Sequence, residues 1–273
     1  MSEIVLTVLG SGPSAGVPRL GGPDLAGDWG KCDPTNPRNC RSRCSVLVEK
    51  KCETGTTRVL VDTSPDLRTQ LLKARVAEVD AVLITHDHAD QIHGFDDLRQ
   101  ITYHTRRRVD VWADAETSKT LMSRFGYCFV QPEGSFYPAI CNLHLIPEPL
   151  TPFELAGAGG ALPVHPFRQQ HGSVTSLGFR FGPIAYSPDV NKLDEAAFAV
   201  LAGIEVWIVD ALRLKPHVSH AHLALALEWI ARLKPRTAAL TNLHQDLDYE
   251  TLKAMLPAGV EPAYDGLTVR AEC

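Results

Sequence analysis

The passage Asp80-Ala-Val-Leu-Ile-Thr85, running straight into His86-Asp-His88-Ala-Asp90-Gln91, constrains this chain more than any other. A run with so little polar character reads as a strand buried on both faces, as in the parallel part of a covered sheet. Its end switches abruptly to two imidazoles and two carboxylates within five residues, and loops at strand ends are where chemistry often sits. Imidazoles at i and i+2 converge on one metal only if the backbone is extended or turning, which a loop leaving a strand provides. Asp90, two residues further on, can hold a second cation or orient a water. The competing reading is a surface turn carrying two solvated histidines.

The rest of the chain supplies neighbours for that strand. Ile4 to Leu9 reads as a strand stopping at Gly10-Ser-Gly-Pro13, and a long Gly-, Pro-, Asn- and Arg-rich loop follows as far as Arg43. Ser45 to Glu49 and Arg58 to Asp62 read as strands. Ser64 is the predicted cap of a helix with Pro65 at its first position. In the second half, Ala161 to Gln170, Ser176 to Phe181, Ile184 to Ser187, Glu205 to Asp210 and Thr237 to Thr241 are predicted strands. Asp194 to Leu201 and about His220 to Leu233 are predicted helices, the latter with Leu223, Leu225, Leu227, Trp229 and Ile230 apolar. Strands precede helices in both halves, which predicts an α/β fold in which two mixed sheets pack together with helices outside, a four-layer αββα sandwich.

With 273 residues, 44% hydrophobic and 22% charged, the chain can bury a full core without disulfides. No Ser/Gly/Pro-rich linker divides it, so residues 1–273 are expected to form a single domain. The net charge of −5 argues against coating long nucleic acid and leaves room for a small anionic substrate. Arg106, Arg107 and Arg108 are the sole run of three like charges, read either as a solvated face or as a phosphate contact. Seven cysteines, an odd number in a chain too large to need staples, fit a reducing cytoplasm. No targeting segment or bilayer-length apolar run is evident, so no membrane association is expected. The sequence leaves room for a homodimer.

The strand ending in His-x-His-x-Asp resembles the signature of the metallo-β-lactamase superfamily, and the resemblance extends over nearly the whole chain. It continues at Asp62, similar to the family's structural aspartate, at His171 in Gln-His-Gly, at Asp189 in Ser-Pro-Asp and at His244 in Thr-Asn-Leu-His. The resemblance implies a first metal site of His86, His88 and His171 with Asp189 bridging, and a second of Asp90, Asp189 and His244. The metals implied are Zn2+ or Mn2+, one ion or two. A divalent cation lowers the pKa of bound water from about 15.7 to about 7, which would supply hydroxide as nucleophile at neutral pH.

Two departures weaken the second site. The signature's final histidine is Gln91 here, and an amide oxygen is a poorer zinc ligand than imidazole. Many relatives carry a histidine directly after the threonine, where this chain has Asn242; strand alternation puts 242 and 244 on one side, so His244 is the candidate. His93 is expected to line the site as a substrate or supporting contact. His222, followed by Leu-Ala-Leu-Ala, is the preferred match for the family's proton-donating histidine, ahead of His220 and His217. Such a donor suits a departing alkoxide.

The opening Gly-Ser-Gly-Pro-Ser-Ala-Gly-Val-Pro-Arg and the later Gly94-Phe-Asp-Asp-Leu-Arg99 resemble the branch that includes phosphoribosyl cyclic phosphate phosphodiesterase, a neighbour of ribonuclease Z. This implies a metal-dependent phosphodiesterase acting on a small cyclic or nucleotide phosphodiester. No long basic insertion suited to gripping RNA is present. Relatives in this branch can hold a structural zinc with cysteines of the early loop, which makes Cys32, Cys40 and Cys44 candidates, against the alternative of free thiols. Two other functions stay open: a mononuclear iron oxygenase of the same fold, and a nucleotide-binding module without turnover.

Overall fold

The computed structural model describes residues 2–273. Six strands are built first: β1 (Glu3–Gly10), β2 (Ser45–Cys52), β3 (Gly55–Val61), β4 (Ala81–Leu83), β5 (Val109–Ala113) and β6 (Cys141–Leu145). Seven more follow: β7 (Phe153–Leu155), β8 (Leu162–His171), β9 (Val174–Phe181), β10 (Ile184–Ser187), β11 (Val206–Asp210), β12 (Thr237–Thr241) and β13 (Val260–Pro262). The last, β14 (Thr268–Glu272), returns to the first sheet beside β1. The sheet orders are β14-β1-β2-β3-β4-β5-β6 and β13-β12-β11-β10-β9-β8-β7.

Both sheets follow one plan. Antiparallel pairing runs through β14, β1, β2 and β3 and turns parallel from β3 to β6. The second sheet is antiparallel from β7 to β10 and parallel from β10 to β13. In the middle of each sheet the parallel strands end on the same kind of loop, and those loops carry the ionisable residues.

The helices are α1 (Leu67–Ala74), α2 (Ala89–Ile92), α3 (Leu98–Thr105), α4 (Ala115–Phe129), α5 (Glu195–Leu201), α6 (Leu223–Leu233) and α7 (Tyr249–Met255). Three buried apolar clusters show how the layers stack. One joins the facing sides of the two sheets, through Leu6, Val46, Val61, Leu83, Phe179, Tyr186 and Ile208. A second puts Trp207, Val209 and Leu240 of the second sheet against Ala197, Phe198, Ala226 and Trp229 of α5 and α6. The third puts Leu60, Val82 and Val111 of the first sheet against Leu67, Leu71, Leu98, Ile101 and Leu121 of α1, α3 and α4. Three apolar interfaces between four layers give the αββα sandwich.

Element boundaries shift where local hydrogen bonds compete. Helix α1 begins at Leu67 after Asp66, later than expected; the Ser64 hydroxyl still accepts the Asp66 amide at 3.2 Å and donates to Gln70 Oε1 at 2.8 Å. The apolar run of residues 80–85 pairs as strand only over Ala81–Leu83. The amide of Ile84 still bonds the Trp112 carbonyl, and that of Thr85 turns to the Asp62 carboxylate. The helix expected from His220 starts at Leu223.

The early loop is ordered without gathering its cysteines. Cys32 is buried against the Gln245 and Leu247 carbonyls, Cys44 is buried beside Thr241 and Asn242, and Cys40 is exposed. Among the described residues these three do not come together as a metal-binding group, so the structural-zinc expectation finds no support. The buried Arg41 does the tying instead. Its guanidinium donates to the carbonyls of Leu243 and His244 at 3.2 Å and of Leu247 at 2.7 Å, and to Asn39 Oδ1 at 3.1 Å. One planar fork thereby satisfies several carbonyls that would otherwise be stranded in the interior.

Candidate metal centre

The loops that leave β3, β4, β10 and β12 meet at one end of the sandwich. Asp62 follows β3 and accepts the Thr85 amide at 2.8 Å and the Thr85 hydroxyl at 2.9 Å and 3.0 Å. The Thr85 hydroxyl lies 3.0 Å from His86 Nδ1. A proton on Nδ1 directed at that oxygen leaves Nε2 with its lone pair free, and Nε2 of His86 is buried with no hydrogen-bond partner. Burial pushes the Asp62 carboxyl well up and drives His86 down to about 4, so the imidazole is neutral at pH 7. Gly94 lets the motif loop dock here, because a Cβ at that position would sit 1.9 Å from the Ser64 carbonyl oxygen.

His88 and His171 complete a triangle. Ring centroids are 4.5 Å apart for His86 and His88, 5.2 Å for His86 and His171, and 5.0 Å for His88 and His171. His171 ends β8, and its Nδ1 donates to the Ser219 carbonyl at 2.6 Å, which turns Nε2 toward the other two rings. Burial lowers His171 as well. One ligand atom from each of the three lies within 4.8 Å of the others. Three converging imidazoles, one with an orphaned buried nitrogen, are the donor set expected of a divalent cation site, so these residues fit the metal the resemblance implies.

Asp189, after β10, forms the other wall. Its Oδ1 is 4.0 Å from His171 Nε2 and 3.8 Å from His220 Nε2. Burial would raise its carboxyl, but His220, His86 and His171 outweigh that and hold it below the usual range. His171, Asp189 and His220 make a second group whose ligand atoms lie within 4.8 Å of one another. His220 Nδ1 pairs with Asp210 Oδ2 at 2.8 Å. Burial alone would lower His220; Asp210 and then Asp189 reverse this and raise it to about 9.

Backbone strain concentrates here. Of the seven non-glycine residues with positive φ among the described residues, Arg75, Arg106 and Lys234 end helices. Asp62, Asp189 and Asn242 adopt it at the floor of this site, where packing must hold the conformation in place.

The other candidates fall differently. Asp90 borders the cluster; burial and the facing Asp189 push it up to about 6. Gln91 is fully buried beside it. His93 is exposed and meets Phe125 edge-on at 6.1 Å. His244 is engaged elsewhere, with Arg19 through Nε2 and with Asp246 through Nδ1 at 3.1 Å, and is in neither group. His222 occupies the cap position of α6 without a side-chain capping bond and joins neither group. The histidine facing the cluster from this loop is His220, two residues earlier, because Asp210 at the end of β11 draws its ring inward. Asp210 closes a buried strand just as Asp62 nearly does, and that likeness was the available signal for it. Arg107 approaches Asp80 at 3.9 Å, and with Arg108 it lines a groove none of whose residues belongs to the cluster.

Two openings flank His88. One, of about 660 Å³, is lined by Asp87, His88, Ala89, His93, Arg124 and Phe125. The other, of about 730 Å³, runs past His88, His171, Ser173 and Ser219. Arg124 donates to the Asp87 carbonyl at 3.1 Å, and Thr120 donates to the Asp87 carboxylate at 2.7 Å, so this motif carboxylate braces the loop against α4 instead of facing the cluster.

Residues 57–242 match the β-lactamase superfamily domain, and the chain belongs to that superfamily, with its metallo-hydrolase fold. A curated octanoyltransferase of Porphyromonas gingivalis (strain ATCC BAA-308 / W83) is 32% identical over 264 residues, 95% of this chain. The chain spans only 50% of that protein's length. A crystal structure described as a new diphosphatase from the PhnP family is 33% identical, with a TM-score of 0.86 over 100% of this chain and 99% of its own. The short form of human tRNase Z, at 17% identity, shares the fold with a TM-score of 0.63 over 97% of this chain and 98% of its own. Within this superfamily the chain lies on the side of the PhnP-like and ribonuclease Z-like members.

Proposed function

We propose that this chain is a metal-dependent phosphodiesterase acting on a small cyclic or nucleotide phosphodiester. The observation that carries the proposal is the buried, unpartnered Nε2 of His86 facing His88 and His171, beside the carboxylate of Asp189. Zn2+ and Mn2+ are the cations proposed, and such an ion supplies a lowered water pKa and polarisation of a phosphoryl oxygen.

The chain's own residues would do the rest. Ser219 and Thr85 fix which nitrogen of His171 and His86 is available. His220, paired through Nδ1 with Asp210 at the edge of the cluster, would carry a proton on Nε2 and hand it to a leaving alkoxide. The openings beside His88 have the size of small-ligand clefts, commonly about 300–1,000 Å³. Arg124 and His93 line one of them and would meet an anionic substrate.

The 33% identical relative is described as a diphosphatase, which favours a second reading in which the bond broken joins two phosphates. Both readings need the same cation and proton donor. Turnover of bis-(4-nitrophenyl) phosphate, measured against a nucleoside diphosphate derivative, separates them. Loss of turnover on chelation and in a folded His88→Ala variant is expected; turnover that survives both removes the metal-dependent reading. Tight nucleotide binding without hydrolysis under saturating Zn2+ or Mn2+ would point to a non-catalytic module, and oxygen consumption by an iron-loaded protein to an oxygenase.

A further inference from the structure

We propose that this chain holds one divalent cation where its family resemblance implies two, and that side-chain amides replace the second. The inference rests on the metal-dependent reading above. It begins with Gln91, whose Nε2 donates to Asp90 Oδ2 at 3.2 Å and to Asp189 Oδ2 at 3.3 Å. A single –NH2 group therefore bridges the two carboxylates that a second cation would have to bridge. The orientation follows from chemistry: two carboxylate oxygens demand a donor, and turning the amide over would aim Oε1 at both.

The remaining ligands of a second site are missing as well. Asn242 stands where the family's other imidazole is expected; its Oδ1 accepts the Cys44 thiol, and its Nδ2 is buried without a partner. His244, the alternative, is held by Arg19 and Asp246. Both metal-type groups found among the described residues use His171, and neither includes Asp90 or His244. An amide N–H on a carboxylate is a charge-assisted hydrogen bond, and it brings no desolvated ion and needs no open coordination position. The place between Asp90 and Asp189 is thus occupied by a hydrogen-bonded amide, and Asp90, Gln91 and Asn242 together do not fit a cation.

The test is stoichiometry, not turnover. Protein stripped with a chelator is titrated calorimetrically with Zn2+ and, separately, Mn2+, and the metal retained after gel filtration is measured by mass spectrometry. The wild-type chain is expected to take about one equivalent of its preferred ion, and the Gln91→His/Asn242→His double variant about two. Two equivalents in the wild type, or one in a folded double variant, would overturn the assignment of the amides. If the double variant does not fold, Asp90→Asn decides: one equivalent retained supports a single site, and none retained overturns it. A wild-type chain that takes no metal at all removes the functional reading along with this one.

Discussion

The two sides of the cleft, a few ångströms apart, are built from opposite materials. On one side the imidazoles of His86, His88 and His171 converge, and His86 keeps a buried nitrogen with nothing to bond. On the other, Asp90 and Asp189 are already joined through the Gln91 amide, and Asn242 replaces an expected ring. Both sides keep unpartnered buried atoms, Gln91 Oε1 and Asn242 Nδ2 among them, but on the first the orphan is an imidazole nitrogen that a cation can take, whereas on the second the two carboxylates already share an amide donor. The departures at Gln91 and Asn242 already set the two sides apart in the sequence; the hydrogen bonds show what stands in place of the lost rings.

The sharpest way to break this contrast is to damage the imidazole side. His86→Ala or His88→Ala should abolish metal retention and drop phosphodiester turnover to background with the fold kept, as checked by metal analysis and circular dichroism. Retained metal would show that these rings are not its ligands. His220→Asn should lower kcat by about 10²–10⁴-fold, the usual worth of a general acid, while metal content stays unchanged. Loss of metal in that variant would make His220 a ligand and merge the two sides.

Arg41→Met should leave metal binding intact but destabilise the fold by about 3 kcal/mol or more, because buried carbonyls lose their donors. A urea unfolding midpoint reads this directly. In metal-free protein, His220 is held at about 9 by Asp210 and Asp189, above the usual histidine value of 6.5. A raised folded-state value contributes stability that is complete below about 6.5 and is lost as pH rises through about 9. Urea midpoints should fall across that window, and His220→Asn should flatten the fall. Cys40→Ser should change stability by less than about 0.5 kcal/mol and leave metal content as it was, since the thiol is exposed and ungrouped.

Much of this was legible before any coordinates. Strand β12 runs over Thr237–Thr241 and β10 over Ile184–Ser187 as the apolar pattern suggested, since buried central strands announce themselves by composition. The stretch from Leu98 to Leu155 was not: β5 to β7 are short, and α4 departs from helical geometry at Phe125, which blurs its period. At the site, the ionisable residues could be picked out one by one, but their partners could not. His222 looked better than His220 because the choice depends on Asp210, which is ten residues from His220 in sequence and beside it in space. Arg41 gave no signal at all, since an arginine in a polar loop looks solvated until the carbonyls of Leu243, His244 and Leu247 are seen around it.

The most direct test of the whole account is to follow hydrolysis of bis-(4-nitrophenyl) phosphate while metal-free protein is titrated with its preferred ion. Activity should be absent at the start, rise linearly and level off near one equivalent. Full turnover in the metal-free protein would contradict the account, and a rise that continues to two equivalents would contradict its division of the cleft.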